Sequence, residues 1–187
     1  MLQPRHLTLK EENNMELTDI CSLSRWETLE NDIFKKFNFQ GSVFNPEGIR
    51  ITEVKNWSNE LCPAIKATEK GQSYICSMAH MNMTAIAKNT QTRVVEECDA
   101  GFTKIVIPVF YNEAFLGVVG GCGLVADDGE ADTFAVTKIT EMDEDKAEEL
   151  ATDLPIISAA DIEAASQFME EQVAEILAGH DTGNLAN

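Results

Sequence analysis

Five cysteines, Cys21, Cys62, Cys76, Cys98 and Cys122, are the residues with the most chemistry to offer. Four of them fall between positions 62 and 122, separated by 13, 21 and 23 residues, and each belongs to a different predicted element. The chain has no C-x-x-C pair, so a zinc ribbon, a zinc finger and a thioredoxin motif are all poor fits. Dispersed thiols have to be brought together by a folded scaffold. Four thiolates gathered in that way have the ligand set of an iron–sulfur cluster (4Fe-4S) or of tetrahedral zinc. The plainer alternative is that these are packing residues, since reduced cysteine is among the most buried residue types. Gly120, Gly121 and Gly123 surround Cys122, and glycine inside a strand often marks close approach by a ligand or another backbone.

His80 stands four residues after Cys76, which places both on one face of a helix. Such a pair offers a nucleophile and a base, or two metal ligands, and it equally fits an ordinary surface histidine. G-x-S-x-G, Walker, H-E-x-x-H and Rossmann motifs are missing from the sequence. Gly117-x-x-Gly120-Gly121 lies within a strand pattern and opens no helix, so it offers no phosphate cradle. Catalysis therefore has no constellation to rest on, and a non-enzyme is expected.

The elements that must position these residues follow from periodicity. Trp26, Leu29, Ile33, Phe34 and Phe37 recur on one helical face, with Ser24 and Glu27 spaced as a capping box. Gly41-Ser42-Val43-Phe44 and Ile49-Arg50-Ile51-Thr52 flank Asn45-Pro46-Glu47-Gly48, whose Pro and Gly positions fit a type I turn between two short strands. Residues 56–90 read as helical with a break near Lys70-Gly71. Pro63 is expected in a first helical turn, because mid-helix it costs about 3 kcal/mol. Ile75, Met78, Ala79, Asn82 and Ile86 are the expected inner face.

Residues 92–97, 102–110 and 114–126 read as strands, with turns at Cys98-Asp99-Ala100-Gly101 and Tyr111-Asn112-Glu113. Residues 127–153 hold eleven acids against two lysines and are expected to form a solvated loop plus an acidic helix. Asp127-Asp128-Gly129-Glu130 lacks calcium-loop spacing. Ser158 and Asp161 then start a last helix, expected to run to Gly179, with Ile162, Ala165, Phe168, Met169, Val173 and Ile176 in one stripe. That stripe packs on its own domain or pairs two copies in a homodimer. Five strands with helices in mid-order predict an α+β fold.

Composition narrows the partners. The 187 residues are 44% hydrophobic and 25% charged, enough for one sizeable core. With a formal charge of −18 and no basic run, direct nucleic-acid binding and adhesion to an anionic membrane are not expected. No apolar stretch is long enough to span a bilayer, and the polar leader at residues 1–14 lacks the apolar region of a secretory signal. The expected compartment is cytoplasmic, with reduced cysteines.

Taken in order, several segments resemble the PocR sensory domain, a PAS-like ligand-binding module of signalling proteins. They are the opening amphipathic helix, Phe44-Asn45-Pro46-Glu47-Gly48, Cys62-Pro63-Ala64-Ile65, Cys76, Cys98-Asp99-Ala100-Gly101-Phe102, Ile107-Pro108-Val109 and Phe115-Leu116-Gly117-Val118. The resemblance implies a PAS-like antiparallel sheet with flanking helices and a C-terminal helix. The resemblance covers roughly residues 15–180, and the chain is expected to divide into the leader, a sensory domain at residues 15–157 and a C-terminal helix and tail at 158–187. It also implies a small-molecule sensor, and because no helix-turn-helix or kinase segment is visible, its output is expected to go to a downstream partner unless the chain is a piece of a longer protein. Cys122 stands where that family more often carries glutamine, a departure that favours ligation. Two readings follow. In the first, Cys62, Cys76, Cys98 and Cys122 hold a redox-active cluster or metal. In the second, a small organic ligand sits among Trp57, Tyr74, His80, Phe102 and Phe110, and the cysteines are structural. A thiol enzyme built on Cys76 and His80 ranks behind both.

Overall fold

A computed structural model describes residues 15–185, so the polar leader lies outside the described residues. A short helix, α1 (Leu17–Ile20), precedes α2 (Leu23–Phe37), which buries Trp26, Leu29 and Ile33 completely. The helix starts at Ser22, two residues before the predicted cap. The Ser24 hydroxyl instead meets that of Ser22 at 2.9 Å, and the capping box forms one element earlier, between Glu16 and Asp19 of α1. The Trp26 indole N–H donates to the Leu17 carbonyl at 2.9 Å, which seats α1 on α2.

Strand β1 (Gln40–Phe44) follows, and Asn45 closes the predicted turn by accepting from the backbone N–H of Ile49 at 2.8 Å. The second predicted arm shrinks to a single bridge between Phe44 and Arg50. Arg50 and Thr52 turn instead toward Glu30 of α2, whose carboxylate is completely buried. Arg50 Nη2 lies 3.0 Å from Glu30 Oε2 and donates to the Gly41 carbonyl at 2.9 Å, so one guanidinium joins α2, β1 and the loop after it. Gly41 makes this possible. A Cβ there would come within 2.6 Å of Glu30 Cα, and no side chain fits between helix and strand.

The predicted helical stretch divides into α3 (Leu61–Lys66), with Pro63 in its first turn, and a π-helical segment (Gly71–Ser77) that runs directly into α4 (Met78–Thr90). The π turn corrects the predicted inner face. After Ile75 the buried positions are His80, Met83, Thr84 and Ala87, whereas Met78 and Ile86 are exposed. An i→i+5 turn adds a residue and rotates everything after it by one position.

Strands β2 (Val94–Glu97), β3 (Thr103–Tyr111) and β4 (Ala114–Ala126) complete an antiparallel sheet of order β1-β4-β3-β2. Helices α5 (Thr133–Thr140) and α6 (Glu144–Leu150) form the acidic segment, two helices where one was predicted. Two of the acids cap them, Asp132 accepting from Ala135 N at 2.7 Å and Asp143 from Lys146 N at 3.1 Å. A two-residue strand, β5 (Ile156–Ile157), pairs in parallel with the end of β4 and takes fifth place in the sheet. Finally α7 (Ala159–Leu185) starts on the Ser158–Asp161 box as predicted and runs past Gly179.

Alternation divides the sheet into two faces. Ile105, Ile107, Val109 and Val119 pack under α2 and α7, including Ala165, Met169, Val173 and Ile176 of the predicted stripe. That stripe is thus spent on the chain's own core. Val106 and Val118 point the other way, under Met83 and Ala87 of α4, and a further apolar cluster joins α3, Phe102 and Val136 of α5.

Truncating Glu30 to Ala leaves the Arg50 guanidinium half-buried and unpaired, and should lower stability by about 3 kcal/mol. Replacing both residues with Met should recover much of that loss. Urea unfolding midpoints of the wild type and the two variants measure both effects.

Candidate functional site

One residue from each of three strands forms the floor of an enclosed cavity of about 190 Å³. Gln40 of β1 stands opposite Cys122 of β4, and Cys122 stands opposite Lys104 of β3, so the three form a row across the sheet. The roof comes from α3, the π segment and the start of α4, through Cys62, Lys66, Cys76, Ala79 and His80. Phe44, Trp57, Cys98 and Phe102 close the sides, and the exposed residues Glu47, Gln72 and Met81 stand at the rim. A broader depression of about 700 Å³ beside α5, lined by Glu97, Asp99, Glu130 and Asp132 among others, is an open surface groove.

The strand irregularity behind Cys122 has a local cause. Between Lys104 and Thr103 the register of β3 on β4 jumps past Gly123, which bulges at φ +106. Asn59 fills the space in front of it. Its side-chain N–H₂ donates to the Gly123 carbonyl at 2.7 Å and toward Cys62 Sγ at 3.3 Å, and its oxygen accepts from Cys62 N at 2.7 Å. The predicted role of the other glycines changes accordingly. Gly120 faces the Ile105 carbonyl, and Gly121 faces Phe39 and Met169, so they admit protein rather than a ligand.

All four predicted cysteines reach the cavity, each from a different element, while Cys21 lies apart at the end of α1. They are free thiols, and charge on Cys76, Cys98 or Cys122 would be felt at Cys62. Burial, the largest influence, pushes Cys76 up to about 11 and raises Cys62 and Cys98 as well. Cys98 Sγ also accepts from the backbone N–H groups of Ala100 and Phe102 in the predicted turn, which opposes part of that rise. Among the described residues no group of three or more His, Cys, Asp or Glu side chains is arranged to hold a metal ion.

His80 is buried with neither ring nitrogen hydrogen bonded, its ring packed on Phe44 at 3.9 Å between centroids. Burial, and then the charges of Lys104 and Lys66, push its pKa down to about 3. It makes no hydrogen bond to Cys76. A thiol near 11 beside an imidazole near 3 is also the reverse of the ordering that lets an imidazole take a thiol proton.

Of the predicted lining residues, Trp57, His80 and Phe102 line the cavity. Tyr74 does not: it is 61% exposed, on the outer side of the π segment. Phe110 packs on Phe115 at the far end of the hairpin, with centroids 5.3 Å apart, and lines a surface groove instead. Both were expected in the lining because they are aromatic. Gln40, Phe44, Lys66 and Lys104 were not foreseen. Lys104 carried a readable signal, as a charge at the head of the apolar run from Ile105 to Val109.

The site is thus a small cavity held between one face of an antiparallel sheet and the helices that cover it. Residues 19–180 match the family model described as the sensory domain found in PocR, and the chain belongs to that family. No curated protein and no solved structure matches the chain. Among the described residues no helix is long and apolar enough to cross a membrane.

With its pKa held below the ordinary 6.5, His80 binds its proton in the unfolded chain first. Stability should therefore fall as pH drops below about 6.5, by roughly 2 kcal/mol at pH 5, and continue falling toward pH 3. In His80→Gln that part of the pH dependence should vanish when denaturation is followed at pH 7 and pH 5.

Proposed function

We propose that the domain is a non-catalytic receptor for a small organic molecule bound between the sheet and the π segment. The observation that carries this reading is the cavity itself, whose apolar walls surround buried polar groups with no partner in the protein. At about 190 Å³ it is smaller than the roughly 300–1,000 Å³ of sites for drug-sized ligands, which points to a ligand of a few carbons. Membership of a sensory family supports the same reading.

A sensor needs two states with different contacts to its ligand. The π segment is the element suited to this. It contributes Gln72 and Cys76 to the cavity, and its conversion to regular helix would turn α4 by one residue against the sheet. A downstream signalling partner would read that change, on the outer face of α4 where Met78 and Met81 are exposed.

Convergence of Cys62, Cys76, Cys98 and Cys122 on one cavity favours a second reading, in which thiolates hold zinc or a 4Fe-4S cluster. Lys66 and Lys104 would offset the charge of such a site. Against it stand the raised thiol pKa values and the lack of a ready ligand set.

A thermal-shift screen of short-chain alcohols, diols, amides and acids tests the first reading. Some should raise the Tm of the wild type by several degrees. Ala79→Leu, which fills the cavity, should abolish that rise and fold normally. Protein purified without oxygen should be colourless and metal-free. Stoichiometric iron with sulfide, or zinc, lost equally in each single Cys→Ser variant, would replace the first reading with the second.

A further inference from the structure

Polar groups on the cavity floor are unusual in having no counterpart. Lys104 is 8% exposed and makes no hydrogen bond or ion pair. At the other end of the row, across Cys122, Gln40 is 3% exposed, and its side-chain nitrogen has no partner. His80, above them, leaves both ring nitrogens unpaired. An ammonium and an amide N–H₂ can only donate, so what the floor lacks is acceptors. Desolvating such groups without a partner is unfavourable, most of all for a charge.

The protein does not supply the missing acceptors. Glu47, the one carboxylate among the lining residues, is exposed at the rim, and burial holds the Cys62, Cys76 and Cys98 thiols in their neutral form. In a chain with 32 acids and 14 bases, an interior site with two lysines and no buried acid runs against the overall charge.

We propose that the ligand is a small organic carboxylate, its two oxygens accepting from Lys104 and Gln40 and its short apolar body lying against Phe44 and Phe102. This rests on the cavity being the ligand site and specifies its chemistry. A carboxylate has the acceptor capacity and charge that the floor lacks, and ammonium–carboxylate hydrogen bonds are about twice as strong as neutral ones. Lys66, whose ammonium stands over the Trp57 ring at 5.5 Å to its centroid, adds favourable charge from the roof. Neutral His80 is free to donate or accept, which suits a hydroxyl or keto group next to the carboxylate.

Isothermal titration of propionate, butyrate, lactate and pyruvate, each against the amide of the same skeleton, tests this on the full chain. The acids should bind at least tenfold more tightly than their amides. Lys104→Met should weaken the acids at least tenfold and leave the amides unchanged. Because the variant removes a buried charge, it should fold at least as well as wild type, as circular dichroism and Tm will report. Gln40→Leu should weaken the acids by a smaller factor. Amides binding as tightly as acids, or acids binding Lys104→Met as tightly as wild type, would overturn the carboxylate assignment while leaving the cavity a receptor site. Failure of every acid to bind at millimolar concentration would overturn it too, and would also sink the receptor reading if the broader screen were blank.

Discussion

Because side chains alternate across a strand, the register of β4 between β1 and β3 decides which residues share the cavity floor. Gln40, Cys122 and Lys104 meet there because Gln40 and Lys104 both stand opposite Cys122. A slip of one residue would turn Lys104 toward α2 and α7, into the apolar cluster around Ile105 and Met169. Register is therefore held strongly, by a large apolar core on one face and by a mostly polar floor on the other. The β3–β4 ladder gives way at two places, and at the one beside the cavity, the bulge at Gly123, Asn59 binds α3 to β4. Cavity roof and cavity floor are thus joined by a single side chain.

Cover on both faces explains the electrostatics of the site. Here α4 and the π segment leave Lys104 only 8% exposed, and burial is the largest influence that raises the Cys62, Cys76 and Cys98 thiols and lowers the His80 imidazole, which keeps these groups neutral. Neutral sulfur and neutral imidazole make a soft, polarisable wall around a charged floor. That combination suits recognition better than bond making, since neither a thiolate nor a base is prepared in advance.

Long, strongly periodic elements were legible in the residues: α2, the β3–β4 hairpin, the Cys98 turn and the start of α7 stand where the pattern put them. The convergence of the four cysteines was legible only as a possibility, since spacing does not report which strands become neighbours. Other features were hidden for specific reasons. The π turn adds a residue with no sequence mark, so every face after Ile75 was read one position out. Arg50 and Thr52 look like strand residues, but the buried Glu30 draws them away from a ladder. Strand β5 is too short at two residues to have a period. Tyr74 and Phe110 were misplaced because aromatic character was taken as a sign of burial.

Strand β5 also has a consequence for the segment it closes. Its pairing with β4 brings the two ends of the acidic excursion together, the Asp127 N–H donating to the Ile157 carbonyl at 2.9 Å. Half of the net negative charge is therefore confined to a closed lobe, whose inner residues Val136, Ile139 and Leu150 cover the cluster behind α3. Repulsion among those carboxylates is screened over about 10 Å at 0.1 M ionic strength and extends much further in dilute buffer. The internal repulsion that the packing of the lobe on α3 must overcome therefore grows as the ionic strength around the protein falls.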